Sequence, residues 1–411
     1  MRSLPLLPAP ADPQGEGVEP RIVALDALRG LAILLVIIHH YVTVLLRPDT
    51  ATFAGHLLQM LTIGWIGVDL FFVLSGFLIG CIILRYGHIR NFLPVFYARR
   101  AARLFPLYFV LVISYAVTAH SILSWDTPAA RWLVIGDDAP LPLWSYFAYL
   151  QNIFAARDHG WGAHWLSVTW SLAVEEQFYL LAPVLLLAVP RRVLPVVLGL
   201  LILFAPLVRV GLLLQTGAWI PSYVVLPARW DALLAGIFGA YLFTSPAWRG
   251  WLQASPSHIT NALVSSGAAL IAILVTGQFY PSSLTMMSVG FTLLAVFSLS
   301  LIGMVILVPG RLAHGLSSST LLVQLGGISY GVYLIHQPMQ GLVRLALGPW
   351  WPQIDLPTDL TRPCVAVVLT VGAAVLSRRY LENPILAFAR RRWIYGSDPS
   401  NAVPSNANLA A

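Results

Sequence analysis

Charge and cysteine are both scarce in this chain. Only 10% of its 411 residues are charged, against 58% hydrophobic, and the mean hydropathy is +0.77. No water-soluble fold of this length tolerates such a surface, so a soluble globular protein is excluded and a polytopic membrane protein is implied. The two cysteines, Cys81 and Cys364, each lie in or beside an apolar run and make neither a CxxC nor a metal-ligand spacing. Redox chemistry and structural zinc are therefore not expected, and no metal site is. The first twenty residues, MRSLPLLPAPADPQGEGVEP, have no long apolar stretch. They read as a disordered cytoplasmic tail and not as a cleaved signal peptide. The net charge of +7 resides in arginine. In a membrane protein that excess records basic residues held on the cytoplasmic side, so no nucleic-acid partner is inferred from it.

What is present is a series of apolar runs long enough to span about 30 Å of hydrocarbon. They fall at 28–46, 63–84, 104–119, 171–189, 193–214, 229–244, 261–276, 287–308, 321–347 and 361–377. The expectation is an all-α, polytopic fold of about ten transmembrane helices. Arginines gather at Arg85, Arg90, Arg99, Arg100 and Arg103, at Arg191 and Arg192, at Arg249, at Arg311, and at Arg378, Arg379 and Arg390 to Arg392. With ten spans and the amino terminus inside, every cluster is cytoplasmic, which puts both termini in the cytoplasm; the expected location is the inner (plasma) membrane. Residues 143–154, LWSYFAYLQNIF, are too short to span and read as a re-entrant or interfacial helix on the outer face. The ordered unit is 22–390, flanked by disordered cytoplasmic tails at 1–21 and 391–411.

Polar groups at membrane depth are costly and mark functional sites by default. Arg29 and His40 share a run that is otherwise apolar or small apart from His39, with Asp26 one turn before. Eleven residues are almost three helical turns, so the pair shares a face about 16 Å apart along the axis. Asp69 lies near the outer end of the second run, where Ser75, Gly76 and Gly80 offer a small-residue packing face. Arg100 and Arg103 are one turn apart at the cytoplasmic boundary, a spacing suited to a phosphate clamp or to ordinary topology arginines. Glu175 and Glu176 sit a turn into the fourth run beside Trp170, and adjacent carboxylates diverge on a helix, so at most one faces the cavity of His40. Asp231 and His336 bring further ionisable groups to the outer halves of two later spans. Trp170, Glu176, Asp231 and His336 are candidate acceptor-binding residues. A basic cytoplasmic mouth with a histidine further in suits acyl-CoA, whose phosphates need arginines and whose acyl transfer to a hydroxyl needs a base of histidine type. A transporter of an acylated or anionic glycan or lipid is the alternative, though two-fold repeats of the kind such proteins show are not visible.

Six segments, LDALRGLAILLVIIHHY, GVDLFFVLSGFLI, ARRAARLFPLY, WSLAVEEQFYLLAP, ISYGVYLIHQP and YLENP, occur in this order over residues of about 22–390. In these the chain resembles the integral-membrane acyltransferase family 3, which includes bacterial O-acetylases of surface polysaccharide and peptidoglycan and macrolide acyltransferases. The resemblance implies ten spans with cytoplasmic termini and an acyl-CoA-dependent O-acyltransferase with acetyl-CoA as the expected donor. It puts the family's histidine at His40 and not His39, its arginines at Arg29, Arg100 and Arg103, and its glutamate at Glu175. Glu175 or Asp69 is expected to support the His40 imidazole. A glycan or glycosylated small molecule is the implied acceptor, with the lipid bilayer as the other partner; oligomeric state is not legible. Some members carry a further soluble esterase-like domain, and none is legible here.

Overall fold

The computed structural model describes residues 22–43, 62–122, 138–308, 310–347 and 361–396, and contains no strand among them. The expected tail at 1–21 and residues 44–46 of the first expected span lie outside the described residues. Helix α1 (Val23–Ile38) continues as a π turn, His39–Thr43. A 3-10 turn, Thr62–Trp65, leads into α2 (Ile66–Tyr86), and α3 (Phe92–Ile122) follows after a five-residue connection. After the short α4 (Leu143–Phe147) and α5 (Gln151–Asp158), a 3-10 turn, His164–Thr169, opens α6 (Trp170–Ala188). Next come α7 (Leu194–Thr216), the short α8 (Trp219–Val224), α9 (Leu226–Thr244), α10 (Pro246–Ala254) and α11 (Ser257–Val275). A π turn, Met286–Gly290, precedes α12 (Phe291–Leu307); then α13 (Arg311–Ser318) meets α14 (Thr320–Leu347) at a bend of 67°. Helix α15 (Thr361–Ser377) passes through a π turn, Arg378–Glu382, into α16 (Asn383–Arg392).

Nine helices among the described residues are long and apolar enough to cross a membrane, or ten if the bent pair is one span. Each of the ten expected apolar runs corresponds to one of them. Three boundaries differ from the expectation. Helix α3 begins at Phe92, not near 104, because Pro94 falls in its first turn, where a missing N–H costs nothing, and the Ala-rich run beyond favours continuation. Arg99, Arg100 and Arg103 are thus inside the helix. Residues 143–154 form two short helices, not one, broken at Tyr149 (φ 53°). Polar side chains pin the break: Gln151 Nε2 donates to the Thr169 carbonyl at 2.8 Å, and Asn152 Nδ2 to the Val224 carbonyl at 3.1 Å. At the far end, residues 393–396 are packed and not loose, since Arg99 Nε donates to the Trp393 carbonyl at 2.8 Å and Tyr395 stacks on Tyr86.

Two close helix pairs organise the core. Helices α2 and α9 run side by side in a constant register. Asp69 meets Arg229, a Cβ on Gly76 would strike the Leu233 carbonyl, one on Gly236 the Val73 carbonyl, and one on Gly80 the Ala240 methyl. Positions 69, 73, 76 and 80 recur at four, three and four residues, which places them on one face, and small side chains there let the backbones touch. Helices α1 and α14 cross similarly: Gly30 abuts the Leu322 carbonyl and Gly326 the Asp26 carbonyl. The outer faces are lipid-like, and α7 is buried over only 17% of its most apolar stretch, against 78% for Trp219–Thr244.

Candidate active site

Helix α1 changes pitch where its first histidine falls. In the π turn the ladder shifts by one residue, a feature common at functional sites. The freed geometry is held from two sides. Gln340 Nε2 of α14 donates to the His40 carbonyl at 2.9 Å. Tyr41, fully buried, donates its hydroxyl to the His336 carbonyl at 2.6 Å and bonds the Thr370 hydroxyl at 2.8 Å. These ties bring the His40 and His336 rings to 4.9 Å between centroids, with His39 edge-on to His40 at 5.0 Å.

The ring tautomers follow from the partners. His40 Nδ1 lies 3.0 Å from the Val36 carbonyl and His336 Nδ1 lies 2.6 Å from the Tyr333 carbonyl. A carbonyl oxygen has no proton to give, so each Nδ1 carries the hydrogen and each Nε2 presents its lone pair. His336 Nε2 is enclosed and has no partner among the described residues. A third imidazole, His164, stands in the 3-10 turn ahead of α6, bonds Gln340 and senses both rings. Sequence reasoning missed it, because it precedes the apolar run and looks like a loop residue. Among the described residues no group of three His, Cys, Asp or Glu is arranged to hold a metal ion.

Lower on α1 the second cluster forms around Arg29. Its one ionic contact among the described residues is with Asp26 at 3.8 Å. Arg103 of α3 makes no hydrogen bond or ion pair with a described residue, and Arg100 lies 5.8 Å over the Phe96 ring. Arg29 and Arg103 sense each other and both sense Glu175. The Glu175 carboxylate accepts from the Tyr179 hydroxyl at 3.2 Å, and Tyr179 in turn bonds Ser75. Glu176 diverges as helix geometry requires. It lies within electrostatic reach of Arg100, with Oε1 enclosed and without a partner among the described residues.

The remaining carboxylates are occupied elsewhere. Asp69 takes Arg229 at 2.6 Å, both side chains being 1% exposed, and Asp231 takes Arg209 at 2.9 Å and the Thr292 hydroxyl at 2.7 Å. Arg209 is satisfied further by the carbonyls of Met287 and Ala228, both at 2.7 Å. The first of these belongs to the second π turn, whose displaced carbonyl needs a donor. Arg229 lies 4.2 Å over Phe291 and 4.8 Å over Tyr223. Among the described residues no carboxylate is hydrogen-bonded to His40: Asp69 is held by Arg229, and Glu175 sits among the arginines. The group that orients the His40 imidazole is the Val36 carbonyl. Asp231 is likewise enclosed by its partners, and Trp170 is wedged among Phe72, Trp161 and Tyr223. Of the four residues expected at the acceptor, His336 alone is beside His40.

Residues 22–379 match the sequence profile of the family described as "Acyltransferase domain". Among curated relatives, a protein of Staphylococcus aureus (strain COL) that carries a provisional O-acetyltransferase name is 27% identical over 378 residues, 88% of this chain and 57% of that protein. The O-acetyltransferase OatA of Staphylococcus aureus (strain NCTC 8325 / PS 47) is 26% identical over 381 residues, 88% of this chain and 56% of the relative. The chain therefore spans little more than half the length of the curated relatives it matches. No solved structure matches it. A profile match that takes in nearly the whole helical bundle, on a chain carrying all six motifs in order, identifies this protein as a member of the acyltransferase 3 family of integral-membrane proteins.

Proposed function

We propose that this chain is a membrane-embedded O-acyltransferase that moves an acyl group, acetyl in the simplest case, from acyl-CoA to a hydroxyl of a sugar-containing acceptor. The observation that carries the reading is the division of α1. Near one end Arg29 joins Arg103 with a single long ionic contact among the described residues, to Asp26 at 3.8 Å, and at the other His40 presents a bare Nε2 beside His336. Arg29, Arg100 and Arg103 fit the phosphates of the donor, which Arg binds in a bidentate manner. The positive-inside pattern puts that end at the cytoplasm, where acyl-CoA is available, and His40 toward the outer side. The names of the OatA relatives, O-acetyltransferases, support the reaction class.

In this mechanism His40 Nε2 accepts the acceptor's hydroxyl proton as the oxygen attacks the thioester carbon. The C–S bond breaks, and the proton on His40 passes to the leaving thiolate, which restores the neutral ring. Val36 keeps the tautomer correct throughout, the task a carboxylate performs in a hydrolase triad. Glu175 serves the arginines and not the imidazole. The test is transfer of radiolabelled acetyl from acetyl-CoA by purified protein in lipid nanodiscs. His40→Ala should lose turnover by about 100-fold or more while keeping its melting temperature. Near-wild-type turnover in His40→Ala overturns the proposal. Movement of an unmodified glycan across the bilayer with no label transfer would favour the transport alternative.

A further inference from the structure

The YLENP segment has no task in the mechanism above, yet it builds part of the arginine end. Its Glu382 closes the π turn Arg378–Glu382, which packs against α3 and positions Arg378 within electrostatic reach of Arg103. Tyr330 of α14 donates its hydroxyl to the Leu104 carbonyl, fastening that helix to α3 one residue beyond Arg103. The Glu382 carboxylate is almost wholly buried and accepts from the Ser377 hydroxyl at 3.1 Å and from Arg378 Nη1 at 3.3 Å. The second contact is long for a charge-assisted bond. Arg378 is therefore parked on a carboxylate that has a second donor of its own and can do without it.

Exposure separates Arg378 from Arg29. The Arg29 side chain is 20% exposed and the Arg378 side chain 35%, so Arg378 stands nearer the rim. The donor has the same order of parts: thioester, pantetheine, pyrophosphate, then the ribose bearing a separate 3′-phosphate. With the thioester at His40 and the pyrophosphate at Arg29 and Arg103, the outermost phosphate falls toward Arg378, the more exposed of Arg29 and Arg378. We propose that Arg378 leaves Glu382 to bind the 3′-phosphate of the coenzyme A donor, and so selects this donor over ones lacking that group. The proposal rests on the acyl-CoA reading above.

The experiment compares acetyl-CoA with acetyl-dephospho-CoA on the full chain in nanodiscs, by kcat/KM and by competition with free CoA and dephospho-CoA. Wild type should favour the phosphorylated compounds by about 10- to 100-fold, the range one charge-assisted contact supports. Arg378→Gln should reduce acetyl-CoA to the level of acetyl-dephospho-CoA, and Arg378→Lys should restore part of the preference. Arg103→Gln should weaken both donors alike. A wild-type protein that uses both donors equally, or an Arg378→Gln variant that keeps the preference, overturns the assignment. Because the wild-type comparison needs no variant, it decides even if Arg378→Gln fails to fold. A wild type that takes acetyl from neither donor overturns the donor reading itself, and this assignment with it.

Discussion

Two groups of buried arginines sit in one bundle and are treated in opposite ways. Arg209 and Arg229 are fully enclosed, and each holds an aspartate at under 3 Å. Arg29 and Arg103 are half-buried, and between them have one ionic contact among the described residues, at 3.8 Å. A buried charge with a close partner is already spent on the fold. One brought to membrane depth with no close ionic partner among the described residues is held ready for something that arrives. The comparison separates charges that hold the helices in register from charges that receive a ligand, and chemical type alone would not have separated them.

The sharpest way to break it is to remove one member of a closed pair. Asp231→Leu leaves Arg209 enclosed without its carboxylate, and should cost about 3–5 kcal/mol, enough to abolish a sharp melting transition in detergent. The double variant Arg209→Leu with Asp231→Leu should recover much of that loss; a double variant no better than the single would show that the pair does not act as a unit. At the open cluster the expected balance reverses. Arg103→Gln should leave the melting temperature within about 2–3 °C of wild type, since no protein hydrogen bond is lost, while KM for the donor rises about 10- to 100-fold. A large fall in melting temperature with unchanged KM would move Arg103 into the structural group. The smallest effect belongs to a pair that is neither enclosed nor at the site. Arg157 bonds the exposed Asp158 carboxylate at 2.6 and 2.8 Å. Arg157→Gln should change neither melting temperature nor turnover measurably, because exposed ion pairs contribute little.

This distinction is what the sequence does not display. The spans were legible because apolar length is a local property of the chain, and Arg29 and His40 stood out because, apart from His39, everything between them is apolar or small. The small-residue face of α2 was legible as well, but not that its partner is α9, since a register between positions 160 apart depends on tertiary packing. Asp69 and Glu175 had the same apparent claim on His40. Only packing decides between them: α9 gives Arg229 to Asp69, while Glu175 takes Tyr179 one turn further along its own helix. The π turns were invisible for a different reason. They arise where side chains from other helices, such as Gln340 and Arg209, are available to satisfy displaced carbonyls. His164 enters the cluster only because a 3-10 turn carries it inward.

The crossing of α1 and α14 has a mechanical consequence. The two backbones bear on each other at Gly30 and Gly326, with no side chain between them. His40 lies ten residues beyond the first glycine and His336 ten beyond the second, so the crossing is a fulcrum with two arms of equal length, each about 15 Å. Arg29 is seated directly beside that pivot. A single methyl group at Gly30 would act as a wedge, and the arms would carry the displacement to the tips, where the 4.9 Å spacing of the two imidazoles is set. The gap at the histidines thus depends on the absence of a side chain at the pivot as well as on the Gln340 and Tyr41 ties at the tips.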